Sequence, residues 1–120
     1  MIPLHSLTMT LVLLAAALRS SDEPGKDARA RSIARMVHYS GKVQGVGFRA
    51  TAVEIAKDYP VTGWVKNLSD GRVQMYVEGA EEPVEQFQKA IRKHWGKNIE
   101  KEQVEKKEPA GKFKNFTIMR

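Results

Sequence analysis

Gly41-Lys42-Val43-Gln44-Gly45-Val46-Gly47-Phe48-Arg49 gathers three glycines and an arginine into nine residues. β-prone residues precede the run and a helical pattern follows it. The run therefore reads as a strand end, a tight turn and the first turn of a helix. Glycine serves where a backbone takes positive φ or comes close to a ligand. A helix N-terminus offers unpaired N–H groups and partial positive charge, which together suit an anion. Arg49 adds a planar fork of donors that matches phosphate or carboxylate. The chemistry on offer is anion recognition by the amides of Gln44, Gly45, Val46, Gly47, Phe48 and Arg49, backed by the Arg49 guanidinium.

Other readings of the same glycines have to be weighed. Gly45-Val46-Gly47-Phe48-Arg49-Ala50 satisfies the G-x-G-x-x-A dinucleotide fingerprint. That fingerprint needs a parallel sheet and an acidic residue at the end of the second strand. Here Asn67 stands at that strand end, and Asp70-Gly71 forms a hairpin that makes its flanking strands antiparallel. A Walker loop fails because no Gly-Lys-Ser/Thr follows at the required spacing. The plainest alternative is a bare strand-to-helix turn with Arg49 on a solvated helix face.

Few other side chains offer chemistry. There is no cysteine, which excludes disulfides, thiolate metal sites and cysteine nucleophiles. His5, His38 and His94 are scattered and read as packing or surface residues, so no metal or other cofactor is expected. Trp64 and Trp95 read as core, and Glu54 and Asp58 as solvent-facing. Net charge is +6, a modest surplus that fits an anionic ligand without implying nucleic acid. An RNA-binding domain of similar layout would expose aromatics on its central strands, and Gln74-Met75-Tyr76 does not supply that pattern.

The elements that must position the loop follow from periodicity. Met36 to Val43 is the first strand. Phe48, Ala52, Ile55, Ala56 and Tyr59 fall at helical spacing, and Pro60 stops that helix. Thr62–Leu68 and Arg72–Glu78 are strands joined at Asp70-Gly71. Glu81-Glu82-Pro83 opens a second helix, with acids against its dipole and proline in its first turn. Val84, Phe87, Ile91 and Trp95 mark its buried face, and Gly96 terminates it. Ile99 to Lys107 reads as a charged edge strand, and Phe113 to Met119 as the last strand with Phe116 and Ile118 inward. The fold class is α+β: a ferredoxin-like β-α-β-β-α-β layout with an antiparallel sheet and two helices on one face, plus a short extra strand before the last.

Residues 1–35 differ in kind. Leu7 to Leu18 is an apolar run too short for a membrane span, with Ala15-Ala16-Ala17 offering a small-residue cleavage pattern. No lysine or arginine precedes it. Two readings stand for residues 1–18: the core of an export signal, or leader sequence upstream of a true start at Met36. Localisation is exported under the first and cytoplasmic under the second. Residues 19–35 read as a flexible linker and residues 36–120 as the single domain.

The glycine run, followed by Gly63-Trp64-Val65-Lys66-Asn67, resembles the two signature motifs of the acylphosphatase family. The likeness extends through Gly71-Arg72-Val73, Val77-Glu78-Gly79 and Asn115-Phe116-Thr117-Ile118, so it covers Met36 to Arg120. It implies hydrolysis of carboxyl-phosphate anhydrides to carboxylate and inorganic phosphate, without a metal. By resemblance, the loop amides and Arg49 bind the phosphoryl oxygens, and Asn67 holds the attacking water. The implied partner is a small acyl phosphate. The expected domain is a monomer that binds neither nucleic acid nor membrane. A non-catalytic anion-binding or regulatory module on the same scaffold is the rival reading.

Overall fold

A computed structural model describes residues 32–120. The leader, and the linker as far as residue 31, lie outside the described residues. Five strands form one sheet: β1 (Ser32–Gly41), β2 (Val61–Asn67), β3 (Val73–Ala80), β4 (Ile99–Lys107) and β5 (Phe116–Ile118). Two helices, α1 (Phe48–Ala56) and α2 (Glu81–Trp95), pack on the sheet. The strand order is β4-β1-β3-β2-β5.

Alternation decides which side of the sheet meets the helices. Val73, Met75 and Val77 of β3 join Val37 and Tyr39 of β1 and Val65 of β2, all fully buried. Against them lie Phe48 and Ala52 of α1 and Val84, Phe87 and Ile91 of α2. Burying each such large side chain contributes about 1.5–3 kcal/mol, so this layer is the main source of stability. Glu81 and Glu82 open α2, and Arg92, Lys93 and His94 close it, in agreement with the helix dipole. Gly96 ends α2 with right-handed angles, and the chain turns where the Asn98 N–H meets the Trp95 carbonyl at 2.7 Å.

Four expectations need correction. First, β1 begins at Ser32, inside the stretch read as linker. Residues 32–35 pair with Val77 to Ala80 of β3, and Arg35 is satisfied by Gln88 Oε1 at 2.7 Å. Second, the sheet is mixed, because β5 lies parallel to β2. Third, β4 is a full-length member pairing with β1 from Ala34 to Gly41, whereas the closing strand is the short one. Fourth, Trp64 lies on the side away from the helices, stacked on Tyr76 at 6.1 Å, and is not part of the main core.

The last two corrections share a cause. β4 and β5 occupy opposite edges, so residues 108–115 must cross the helix-free side of the sheet. Four strand steps of ~4.8 Å make that roughly 19 Å, which eight residues span with slack, since fully extended they reach about 26–29 Å. Glu78 holds it: Oε1 accepts from the Ala110 N–H at 3.1 Å and Oε2 from the Gly111 N–H at 2.8 Å. The Tyr76 hydroxyl donates to Glu78 Oε1 at 2.8 Å, and Phe113 rests on the Tyr76 ring at 5.4 Å. Phe113 was expected in the last strand, but it serves to seat the strap. No helix among the described residues is long and apolar enough to cross a membrane.

Candidate active site

The segment between β1 and α1 is anchored at its ends and open in its middle. Val43 and Phe48 are buried, and the Phe48 ring lies 5.0 Å from Tyr39 and stacks on Trp95 at 5.3 Å. The Lys42 N–H donates to the Asn98 carbonyl at 2.9 Å, and Asn98 Nδ2 donates back to the Lys42 carbonyl at 2.9 Å. Between these anchors Gly45 and Gly47 take φ of 75° and 89°. A Cβ at either would meet nothing within 4 Å, so the backbone angle, not crowding, calls for glycine.

Gly47 is also the N-cap of α1, with no side chain capping the helix. Among the described residues, no protein acceptor takes the N–H groups of residues 44–50. Orphan donors at a helix start carry partial positive charge and await an acceptor. The sequence placed an anion cradle here, and the backbone supplies the free donors such a cradle needs.

The loop walls a cleft of about 280 Å³ lined by Gly45, Gly47, Arg49, Asn67, Ile118 and Arg120, together with their apolar neighbours. Arg49 and Asn67, far apart in sequence, therefore share one cavity. Gln44 and Val46 do not line it, although their amides were counted in the cradle. Arg49 forms no ion pair among the described residues, and neither does Arg120. No acidic residue, histidine or serine lines the cleft. The Asn67 Oδ1 is buried and accepts no hydrogen bond. Such an orphan acceptor costs about 1–3 kcal/mol unless a water or ligand donates to it.

Arg120 escaped the sequence reading and Ile118 was read only as an inward strand residue; the parallel register explains how both arrive at the cleft. Gly63 pairs with Phe116 and Val65 with Ile118, and the Met119 N–H still reaches the Val65 carbonyl at 2.9 Å. Carried on by two residues, the same register sets Arg120 beside Asn67, on the same side of the sheet. The signal in the sequence was the alternation Phe116, Ile118, Arg120, whose third member is charged.

Asn67 is steadied by the hairpin that follows it. The Leu68 N–H donates to the Arg72 carbonyl at 2.8 Å, and the Gly71 N–H to the Leu68 carbonyl at 3.2 Å. Asp70 Oδ1 accepts from the Arg72 N–H at 3.1 Å and Oδ2 from Arg72 Nε at 2.9 Å. The backbone bond from Arg72, reinforced by its side chain, holds the Asp70 carboxyl below its ordinary value. His38 and His94 sit apart on β1 and α2, and no group of metal-ligating side chains occurs among the described residues.

A family model described as acylphosphatase matches residues 35–118. The chain belongs to the acylphosphatase family. An acylphosphatase of Bacillus velezensis is 53% identical over 53 residues, a stretch spanning 44% of this chain and 59% of that relative. One from Methanospirillum hungatei is 41% identical over 83 residues, covering 68% of this chain and 90% of the relative. The crystal structure of acylphosphatase from Bacillus subtilis superposes with a TM-score of 0.66 at 28% identity, covering 73% of this chain and 99% of that one. The ferredoxin-like α+β fold expected from the sequence is thus the fold of this family.

Proposed function

We propose that the cleft hydrolyses acyl phosphates to a carboxylate and inorganic phosphate without a metal. One observation carries the reading: a row of unsatisfied amides and an unpaired Arg49 share a cavity with the orphan acceptor of Asn67. In this mechanism the loop amides and Arg49 take the phosphoryl oxygens, and Asn67 Oδ1 accepts from the attacking water. The water oxygen forms the new bond to phosphorus while the bond to the acyl oxygen breaks. The acyl oxygen leaves as a carboxylate, a good leaving group that needs no protein acid. The water proton passes to a phosphoryl oxygen, so the products are a carboxylate and dihydrogen phosphate, with charge balanced.

Phosphoryl transfer of this kind asks for positioning and for stabilisation of charge on the transferred oxygens. A cleft lined by two arginines and no acidic side chain meets that demand. The deciding experiment is turnover of acetyl or benzoyl phosphate by the purified protein in the presence of a chelator. Arg49→Gln should lower kcat/KM by about 10²–10³. A protein that binds phosphate but turns over neither substrate would be the anion-binding module instead.

A further inference from the structure

Gln44 stands in the phosphate loop, yet its side chain leaves the loop altogether. Its Nε2 donates to the Leu68 carbonyl at 2.8 Å and to the Arg72 carbonyl at 2.8 Å. A carboxamide nitrogen has two protons, and each is committed to one carbonyl. Both acceptors already close the β2–β3 hairpin, and each uses its second lone pair for Gln44. Leu68 directly follows Asn67. Among the described residues, the only other polar tie of residues 44–47 is the Gly47 carbonyl, which accepts from the Thr51 N–H at 3.0 Å in the first turn of α1; Gln44 alone ties them to the β2–β3 hairpin.

We propose that the Gln44 side chain is a positioning residue that sets the distance between the phosphate loop and the water held by Asn67. The inference rests on the hydrolytic reading above. In-line attack needs the water oxygen and phosphorus within about 3–3.5 Å along the breaking bond, and a misplacement of ~1 Å can cost about 10² in rate. The loop supplies one partner and β2 the other. Apolar contacts of Val43 and Phe48 anchor the loop to the core but leave its separation from Asn67 unspecified. Two short hydrogen bonds to the residues bracketing the hairpin specify it. Phosphate binding rests on the loop and the arginines of the cleft, so it should not depend on this tie.

The test compares Gln44→Met with Gln44→Glu on acetyl phosphate, alongside the wild type, with folding checked by circular dichroism at each pH. Gln44→Met, similar in length but unable to donate, should lose about 10²-fold in kcat while the inhibition constant for inorganic phosphate stays within about 3-fold. In Gln44→Glu, an ionised carboxylate would face two carbonyl oxygens, which favours its protonated form. That protonated form regains one donor. The ratio of Gln44→Glu to wild-type kcat should therefore rise about 10-fold between about pH 8 and about pH 5. The neighbouring charges do not imitate this: Asp70 is held below its ordinary value and pairs with Arg72 at 2.9 Å, and Arg49 on the loop is a guanidinium. A flat ratio, or a loss in phosphate affinity instead of kcat, overturns the positioning role. An inactive wild type would instead sink the hydrolytic reading, so the two failures are distinguishable.

Discussion

The Met119 N–H donates to the Val65 carbonyl at 2.9 Å, one residue past the end of β5. That bond keeps the chain on the β2 edge long enough to bring Arg120 into the cleft beside Asn67. A three-residue strand would matter little to the sheet by itself. Its importance lies in delivering a second unpaired cation to the cavity that already holds Arg49.

Arg120→Gln should therefore weaken binding of anions more than it slows chemistry. A hydrogen bond to a charged group is worth about 1.5–3 kcal/mol, which is about 10- to 100-fold. KM for acetyl phosphate and the inhibition constant of inorganic phosphate should rise together within that range. Arg120→Lys should recover part of both. Steady-state kinetics with phosphate as inhibitor reads both constants together with kcat, and an unchanged inhibition constant would remove Arg120 from the phosphate site.

Asn67→Ala should separate activity from stability. Its kcat should fall about 10²–10³-fold while phosphate still inhibits, because the loop and Arg49 are untouched. No protein donor reaches the Asn67 Oδ1 among the described residues, so deleting it strands no protein group. Thermal unfolding of the variant is expected close to the wild-type temperature. An inactive variant that is also markedly less stable would mean Asn67 has a protein partner in solution.

Glu78→Ala should release the strap. Three donors meet this carboxylate, from Tyr76, Ala110 and Gly111. Removing it strands the Gly111 amide and the Tyr76 hydroxyl proton, while the Ala110 N–H keeps the Tyr76 oxygen at 3.0 Å, at a cost of about 2–4 kcal/mol in urea denaturation. Limited proteolysis should then cut within residues 108–115 well before it cuts the helices.

Asp70 gives a pH dependence with a defined sign. Its carboxyl is held below the ordinary aspartate value, so the folded state favours the ionised form. The stabilising contribution is present above the unfolded value of about 3.9 and is lost as pH falls through the lower folded value. Unfolding temperatures of wild type and Asp70→Asn should differ above about pH 4 and converge below it. A difference that grows on acidification would contradict the assignment.

Local chemistry made much of this protein legible in its sequence. The glycine run, the Asp70-Gly71 hairpin and the acid-to-base polarity of α2 each announce themselves within a few residues. Arg49 and Asn67 were readable because each closes such a segment. What stayed hidden depends on pairing between distant segments. Nothing within Phe116 to Arg120 says that it will run parallel to β2, so Arg120 looked like a tail. Gln44 counted only as an amide because the carbonyls its side chain reaches belong to a hairpin the loop sequence cannot see. Trp64 looked like core because nothing local shows that its ring partner, Tyr76, lies on the strap side of the sheet, where Phe113 also meets it.

The strap also bears on the order of assembly. β5 pairs with β2 from a distant part of the chain, and its segment crosses the far side of the sheet to reach it. Pairings between remote parts of a chain form slowly, because loop-closure entropy is met before the contacts reward it. Contacts absent from the transition state govern the rate of unfolding more than that of folding. If β5 docks late, phosphate bound in the finished cleft lengthens the lifetime of the native state and leaves the refolding rate nearly unchanged. The substrate cleft is then also the clasp whose opening sets how long the molecule survives.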